Sequence, residues 1–185
     1  MVVGASLGGL EALEVLLSGL PAHMPPIAVV QHRLAEDEGS SRLRDLLEAH
    51  TPLRVVEPDD KTAIEPDTVY IAPADYHLQV ERGWFSLATD GPVQFARPSI
   101  DVLFETAADV YGRRVVAVVL TCASTDGVEG ALAVKRKGGR VLVQEPETAR
   151  SAVLPRAVIE SGASNLVAPL ESLAAHLIST CGIKS

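Results

Sequence analysis

Short runs of apolar, often β-branched residues alternate along the chain with segments in which apolar residues recur every three or four positions. The first run, residues 1–5, is followed by leucines at positions 10, 13, 16, 17 and 20. Short apolar runs are typical of buried strands, and the three-to-four-residue period is typical of helices that bury one face. Their alternation predicts βαβ units around a parallel sheet, and therefore an α/β fold.

The same pattern predicts where the elements lie. Strands are expected near residues 1–5, 27–31, 53–56, 68–72, 77–80, 84–88, 115–120 and 140–144, and helices over 10–20, 40–50, 98–110, 127–137, 154–160 and 170–180. The unbroken apolar character of 115–120 is typical of a strand inside a parallel sheet. Residues 81–83 have the composition of a hairpin turn. We therefore predict a three-layer, mostly parallel, doubly wound sheet with an antiparallel hairpin near one edge.

Composition narrows the function classes. With 185 residues and 47% apolar composition, residues 1–185 are expected to form a single domain with its own core. A net charge of −8 and 4% aromatic residues argue against a nucleic-acid partner. No apolar stretch approaches the roughly 18 residues of a membrane span, so no membrane insertion is expected. Cys122 and Cys181 form no metal-ligand cluster, and no signal-peptide pattern follows Met1, so we expect a cytoplasmic protein without a metal.

A serine follows the first predicted strand in the pentapeptide Gly4-Ala5-Ser6-Leu7-Gly8. Between a strand and a helix, G-x-S-x-G can hold a serine on a sharp turn with its hydroxyl exposed, as a nucleophile requires. Two other interpretations stay open: the serine only caps the helix, or Gly8-Gly9 bind the phosphate of a small nucleotide. The spacing matches neither G-x-G-x-x-G nor a P-loop, which disfavours the nucleotide site.

Two further polar residues follow predicted strands. His32 comes directly after residues 27–31, and Asp126 lies in the loop after residues 115–120. The carboxyl ends of parallel strands meet at one edge of a sheet. Ser6, His32 and Asp126 can therefore converge as nucleophile, base and orienting carboxylate, although each alone has a plainer interpretation as a cap or a packed residue. We assign no chemistry to the remaining histidines, His23, His50, His77 and His176.

Six sequence blocks, in order, resemble the catalytic domain of the chemotaxis protein-glutamate methylesterases, the CheB family. They are Val3-Gly4-Ala5-Ser6 with Gly8-Gly9, Val30-Gln31-His32, Tyr70-Ile71-Ala72-Pro73-Ala74-Asp75, Arg97-Pro98-Ser99-Ile100-Asp101, Leu120-Thr121 with Asp126-Gly127, and Pro155-Arg156-Ala157. The resemblance covers almost the whole chain and is far more specific than G-x-S-x-G alone.

The resemblance implies hydrolysis of glutamate γ-methyl esters on the helical cytoplasmic region of chemoreceptors, and deamidation of certain receptor glutamines. Carried over by position, Ser6 is the nucleophile, His32 the general base and then acid, and Asp126 the carboxylate that orients the imidazole. The backbone N–H groups of Leu7 and Ala123 are the candidates for an oxyanion hole. No metal or organic cofactor is implied.

The net charge also bears on substrate binding. A chain of charge −8 is repelled by an acidic receptor helix, so binding must rely on local arginines and is expected to depend on salt. The candidates for this substrate-binding role are Arg97, Arg150 and Arg156.

The chain departs from the family pattern at residues 122–124, where Cys-Ala-Ser replaces Gly-Met-Gly. If those glycines adopt positive φ, a side chain at Cys122 or Ser124 would cost about 1–2 kcal/mol or shift the loop. This motivates the alternative of a catalytically weakened or inactive homologue that binds receptor or partner helices. The family also places a receiver domain before this one, and no segment of this chain resembles a receiver. Either this homologue lacks that domain, or it precedes this segment in the native gene.

Overall fold

The structure is a computed structural model that describes residues 1–33 and 40–183. The strands in this part are β1 (Val2–Ala5), β2 (Ile27–Gln31), β3 (Arg54–Val56), β4 (Thr68–Ile71), β5 (His77–Val80), β6 (Phe85–Ala88), β7 (Val116–Val119), β8 (Arg140–Gln144) and β9 (Leu166–Ala168). The α-helices are α1 (Gly9–Ser18), α2 (Ser40–Glu48), α3 (Ile100–Tyr111), α4 (Val128–Arg136), α5 (Val153–Glu160) and α6 (Leu170–Cys181). No described helix is long and apolar enough to cross a membrane.

Seven strands form one sheet in the order β3-β4-β2-β1-β7-β8-β9, and every neighbouring pair is parallel. The central strand is β1, whose Val3 pairs with Val29 of β2 on one side and with Val118 of β7 on the other. From β1 the chain first extends the sheet to one side, through β2, and later to the other, through β7. In an open α/β sheet the crevice at such a reversal, outside the carboxyl ends of the strands, is the usual ligand site.

Helices cover both faces of this sheet, giving three layers. Successive strand residues point to opposite faces, so Val2 belongs to one core and Val3 to the other. The first core lies under α3, α4 and α5 and includes Phe104 and Leu154. The second lies under α1, α2 and α6 and includes Leu13. Burial of each such side chain contributes about 1.5–3 kcal/mol to the free energy of unfolding. Packing on both faces therefore holds the strands, and the residues at their ends, in place.

The predicted α/β class, the parallel sheet and the hairpin are confirmed, with two refinements. The hairpin strands β5 and β6 pair with each other as a separate two-stranded sheet. This small sheet packs on α3, where the Val80 N–H donates to the Thr106 hydroxyl over 3.1 Å. Strand β9 was not predicted, because only three residues pair with β8 and Val167 among them is exposed.

Candidate active site

Three neighbouring strands bring the predicted residues to one place. Ser6 follows β1, His32 follows β2 and Asp126 lies in the loop after β7, and these strands are adjacent in the order β2-β1-β7. Ser6 and His32 both line a cavity of about 910 Å³, together with Ala123 from the loop after β7. Asp126 lies behind His32 and is completely buried. The structure therefore brings together the three residues that the strand-end argument selected.

Backbone and side-chain contacts fix the turn that carries Ser6. The Ser6 N–H donates to the Thr121 carbonyl over 3.0 Å, and the Ser6 carbonyl accepts from the Gly9 N–H and from the Gln31 amide, each over 2.8 Å. Gly8 has φ +77°, the left-handed conformation that favours glycine, and a side chain at Gly9 would collide with the Gln31 amide. The two glycines after Ser6 are thus explained by the shape of the turn, without any phosphate.

Asp126 accepts four hydrogen bonds although it has no contact with solvent. Its Oδ1 accepts from the Ser99 hydroxyl over 2.7 Å and from the Asp101 N–H over 3.1 Å. Its Oδ2 accepts from the Ile100 N–H over 2.7 Å and contacts His32 Nε2 at 2.8 Å. Burial by itself raises the pKa of Asp126, but these hydrogen bonds outweigh it, and the pKa lies below its ordinary value. The carboxylate is therefore held charged and immobile at the N-terminus of α3.

The imidazole of His32 lies between this carboxylate and the cavity. Burial opposes its positive charge, but the hydrogen bond to Asp126, with a smaller contribution from the neighbouring Cys122, outweighs burial and raises the pKa of His32 to about 9. Because Nε2 is taken by Asp126, Nδ1 is the nitrogen that remains for Ser6. Within the described residues no hydrogen bond joins Ser6 to His32, and such bonds are often long before substrate binds.

A second carboxylate, that of Asp101, accepts hydrogen bonds from the start of α4, as Asp126 does from the start of α3. Asp101, on the first turn of α3, accepts from the N–H groups of Gly127 over 2.8 Å and Gly130 over 2.7 Å, at the start of α4. Asp126 thus caps α3, and Asp101 of α3 caps the helix that follows Asp126. Burial, assisted by the charge of Asp126, raises the pKa of Asp101 to about 6 against the effect of these backbone bonds.

The two candidate oxyanion donors differ in their surroundings but share one property. The N–H groups of Leu7 and Ala123 donate to no acceptor in residues 1–33 and 40–183, so both remain available to a ligand. Ala123 lines the cavity, and Leu7 follows Ser6 directly. A pair of free backbone N–H groups beside a nucleophile is what stabilisation of a tetrahedral oxyanion requires.

The replaced loop at residues 122–124 carries no backbone strain of the expected kind. Neither Cys122 nor Ser124 is among the residues with positive φ. Cys122 is completely buried, and its Sγ accepts from the Ser124 N–H over 3.4 Å. The Ser124 hydroxyl accepts the N–H of Asp126 over 3.0 Å, so it supports the loop that carries Asp126. The cost that a side chain at positive φ would bring to this loop therefore does not arise.

The three candidate arginines occupy different places. Arg97 lines the cavity, but its guanidinium is already engaged by Asp75 and by the carbonyls of Thr89 and Asp90. The other two lie outside the set of cavity-lining residues: Arg150 packs over Gly8 near Glu11, and Arg156 lies 3.7 Å from Glu147. That these arginines bind the substrate stays a prediction.

Several supporting residues were missed from sequence. His77, to which no chemistry was assigned, is buried; its Nδ1 accepts the Ser99 N–H over 3.3 Å and its Nε2 donates to the Gly91 carbonyl over 3.1 Å. His77 thus holds the residue that in turn holds Asp126. A serine just before an apolar-periodic helix is a readable N-cap signal, and the Ser99 side chain does accept from the Val102 N–H. Nothing in the neighbouring sequence indicates that the Ser99 hydroxyl also donates to Asp126.

Potential metal ligands are not clustered in the part of the chain that the structure describes. In residues 1–33 and 40–183 no three His, Cys, Asp or Glu side chains are grouped so that they could hold a metal ion. The cavity is instead lined by Ser6, His32 and two arginines, Arg33 and Arg97, each of which is paired with an acidic residue.

A serine, a histidine and a buried aspartate at the ends of adjacent strands, around one cavity, are typical of serine hydrolases. Comparison with known proteins narrows this class. The CheB methylesterase family model matches residues 1–177. The crystal structure of the Thermotoga maritima CheB methylesterase catalytic domain superposes with a TM-score of 0.93 at 34% identity, covering 97% of this chain and 96% of that one. The chain belongs to the CheB methylesterase family.

Relatives from two bacteria show how much of each protein the chain matches. A Leptospira interrogans relative is 40% identical over 176 residues, which are 94% of this chain and 90% of the relative. The protein-glutamate methylesterase/protein-glutamine glutaminase 2 of Pseudomonas aeruginosa is 38% identical over 183 residues. That match covers 96% of this chain and 52% of the relative, so the chain spans about half the length of the Pseudomonas protein.

Proposed function

We propose that this chain hydrolyses the γ-methyl esters of glutamate side chains on the helical region of chemoreceptors, releasing methanol, and that it deamidates certain glutamines there. The family and the names of its relatives support the reaction class. Ser6, His32 and Asp126 act as nucleophile, general base and acid, and orienting carboxylate, and no cofactor takes part. The receptor helices proposed as substrate are cytoplasmic, so we propose the same location for this chain, acting as a single domain.

The reaction begins with the neutral imidazole of His32. It takes the proton from the Ser6 hydroxyl while Oγ forms a bond to the ester carbonyl carbon. The carbonyl electron pair moves to oxygen, and the N–H groups of Leu7 and Ala123 donate to that oxyanion. Asp126, charged and held by four donors, stabilises the imidazolium that forms.

The second half of the reaction returns the enzyme to its starting state. The C–O bond to the methoxy group breaks as His32 gives its proton to that oxygen, and methanol leaves. Water, deprotonated by His32, then attacks the acyl-enzyme, and the Ser6 oxygen leaves with the proton, freeing glutamate. With a glutamine side chain the same steps release ammonia in place of methanol.

The observation that carries this proposal is the grouping at three adjacent strand ends. Ser6 and His32 share a cavity, and His32 Nε2 lies 2.8 Å from a buried carboxylate that has three further donors. A helix-capping serine or a phosphate site would need neither the histidine nor the buried aspartate. The absence of positive φ at residues 122–124 removes one physical reason to favour an inactive homologue.

The test is methanol release from a methylated receptor fragment by the wild type, Ser6→Ala and Ser18→Ala. Ser6→Ala is expected to lose activity by several orders of magnitude, because the nucleophile is gone, while Ser18→Ala, an exposed helical serine, retains it. A fluorophosphonate adduct mapped to Ser6 is expected in parallel. Activity of Ser6→Ala above a few per cent would contradict the nucleophile assignment. An inactive wild type with an unreactive Ser6, but with affinity for the fragment, would favour the partner-binding module.

A further inference from the structure

The rim of the cavity contains a tight turn in an unfavourable conformation. The N–H and carbonyl groups of Val93 and Ala96 exchange two hydrogen bonds, of 3.0 and 2.8 Å, so Gln94 and Phe95 are the central residues of a two-residue turn. Their φ angles are 45° and 65°. Two successive left-handed residues are normally Asn-Gly or Gly-Gly, because a side chain there costs free energy. Conformations of this kind persist only where the surroundings impose them, and they cluster at functional sites.

Two hydrogen bonds of the Gln94 side chain hold this turn in place. Its Nε2 donates to Asp101 Oδ2 over 2.9 Å, and its Oε1 accepts the Thr125 hydroxyl over 2.7 Å. Asp101 caps α4, and Thr125 directly precedes Asp126. The turn is therefore fastened to the first turn of α3, which donates to Asp126, and to the loop that carries Asp126, so its tip has a fixed position relative to His32 and Asp126.

What this turn presents is Phe95. Its side chain lines the cavity and is completely exposed, the most exposed large apolar residue among those described. Val153, which also lines the cavity, and Leu7, beside the nucleophile, are 45% and 49% exposed. Apolar side chains thus surround a polar floor, which Ser6 and His32 form. Burying an exposed phenylalanine side chain on a partner strengthens binding about tenfold or more.

The cavity has room for more than the ester side chain. A volume of about 910 Å³ lies at the upper end of those that hold a drug-sized ligand and exceeds what one glutamate ester side chain fills. If the ester belongs to a helix, residues three and four positions away lie on the same helix face and reach the rim together with it. An apolar residue at one of these positions is the group that Phe95 can contact.

We infer that Phe95 is a specificity-determining residue: held out by the Gln94 side chain, it packs on the apolar face of the substrate helix next to the ester. This inference rests on the function proposed above. It concerns how a helical substrate is preferred to an isolated ester, and it gives Phe95 no part in bond making or breaking.

The test compares two substrates for each variant: a helical methylated receptor fragment, and the small ester N-acetylglutamate α-amide γ-methyl ester, which has no helix. The readout is the ratio of their kcat/KM values. Phe95→Ala is expected to lower this ratio about tenfold or more, mainly through KM for the helical fragment. Phe95→Leu should recover most of it. Val15→Ala, which removes an exposed apolar side chain on α1, should leave the ratio unchanged.

A binding measurement separates failure of the inference from failure of the proposed function. Anisotropy of the labelled helical fragment is titrated with Ser6→Ala and with Ser6→Ala/Phe95→Ala, so that no turnover is needed. Weaker binding of the double variant supports the inference even if the wild type hydrolyses neither ester. An unchanged ratio and unchanged binding, or an equal loss on both esters, would overturn it. So would a concentration-dependent dimer that Phe95→Ala abolishes, because the occupant would then be a second copy.

Discussion

The floor and the rim of the cavity are held in opposite ways. On the floor, His32 lines the cavity and is held against Asp126, which lies behind it with no exposure and four hydrogen-bond donors. On the rim, Phe95 is completely exposed, at the tip of a turn whose backbone is unfavourable for a side chain. Both are fastened to the first turn of α3, since Asp101 contacts Asp126 through its N–H and Gln94 through its carboxylate.

This difference separates two tasks. A group that must move a proton needs a fixed position and a partner whose charge does not change, which burial with full hydrogen bonding provides. A group that recognises a macromolecular surface must stay uncovered until that surface arrives, and then gains from desolvation. Changes on the floor should therefore affect kcat, whereas changes on the rim should affect the choice of substrate.

The most severe test of the floor, after removal of the nucleophile, is Asp126→Asn. An amide favours the wrong imidazole tautomer and does not stabilise the imidazolium, so kcat is expected to fall about 10⁴-fold while KM changes little. Steady-state methanol release measures this, with circular dichroism to show that the fold is retained.

Asp75→Asn provides the control, because Asp75 also lines the cavity but pairs with Arg97 on the exposed side. Its effect on kcat should be far smaller. If kcat of Asp126→Asn were that of the wild type, Asp126 would be only a helix cap. The buried carboxylate would then have no part in proton transfer.

A smaller effect, on stability, is expected from substitutions of Asp101, which contacts both Asp126 behind the floor and Gln94 of the rim. Asp101→Ala leaves the buried N–H groups of Gly127 and Gly130 without their acceptor, which costs about 1–3 kcal/mol of unfolding free energy. Asp101→Asn keeps an acceptor for them and removes a negative charge beside Asp126. Its amide can bond Gln94 once that side chain rotates, because the Thr125 hydroxyl both donates and accepts.

Urea unfolding of Asp101→Ala and Asp101→Asn measures this difference. Asp101→Asn should lie much closer to the wild type than Asp101→Ala. Equal destabilisation by both substitutions would show that the charge of Asp101, rather than its acceptor oxygens, holds the two helix N-termini together.

Sequence reasoning found the floor of the site but little of the rim. Ser6, His32 and Asp126 could be selected because strand ends are visible in the apolar pattern and parallel strands share one edge. The contacts of Gln94 with Asp101 and of Ser99 with Asp126 could not, because they join residues 7 and 27 positions apart, and no periodic pattern relates the two partners. Nothing in the sequence indicates that Gln94 and Phe95 adopt positive φ, since neither is a residue that favours it.

The same division holds for the fold. The interior strands β1, β2 and β7 were predicted because their residues are buried on both faces and the apolar runs are continuous. The edge strand β9 has one buried residue in three, so its pattern resembles a loop. Tertiary pairing with β8, rather than local composition, makes it a strand.

The smallest effect concerns the pKa of His32 and the influence of its neighbour Cys122 on that pKa. With a pKa of about 9, His32 is protonated at neutral pH and cannot accept the Ser6 proton, so kcat/KM should rise with pH up to about 9. Because this pKa lies above the ordinary 6.5, the stability that His32 contributes is fully present below pH 6.5 and is lost as pH rises through 9. Activity and stability should therefore change in opposite directions over this range.

Cys122→Ala removes the neighbouring side chain that contributes to raising the pKa of His32, and should move the acid limb of the kcat/KM profile to lower pH. Cys181→Ala, at the other free cysteine, should not move it. An acid limb already near 6.5 in the wild type, or one unmoved by Cys122→Ala, would show that the loop at residues 122–124 does not tune the base.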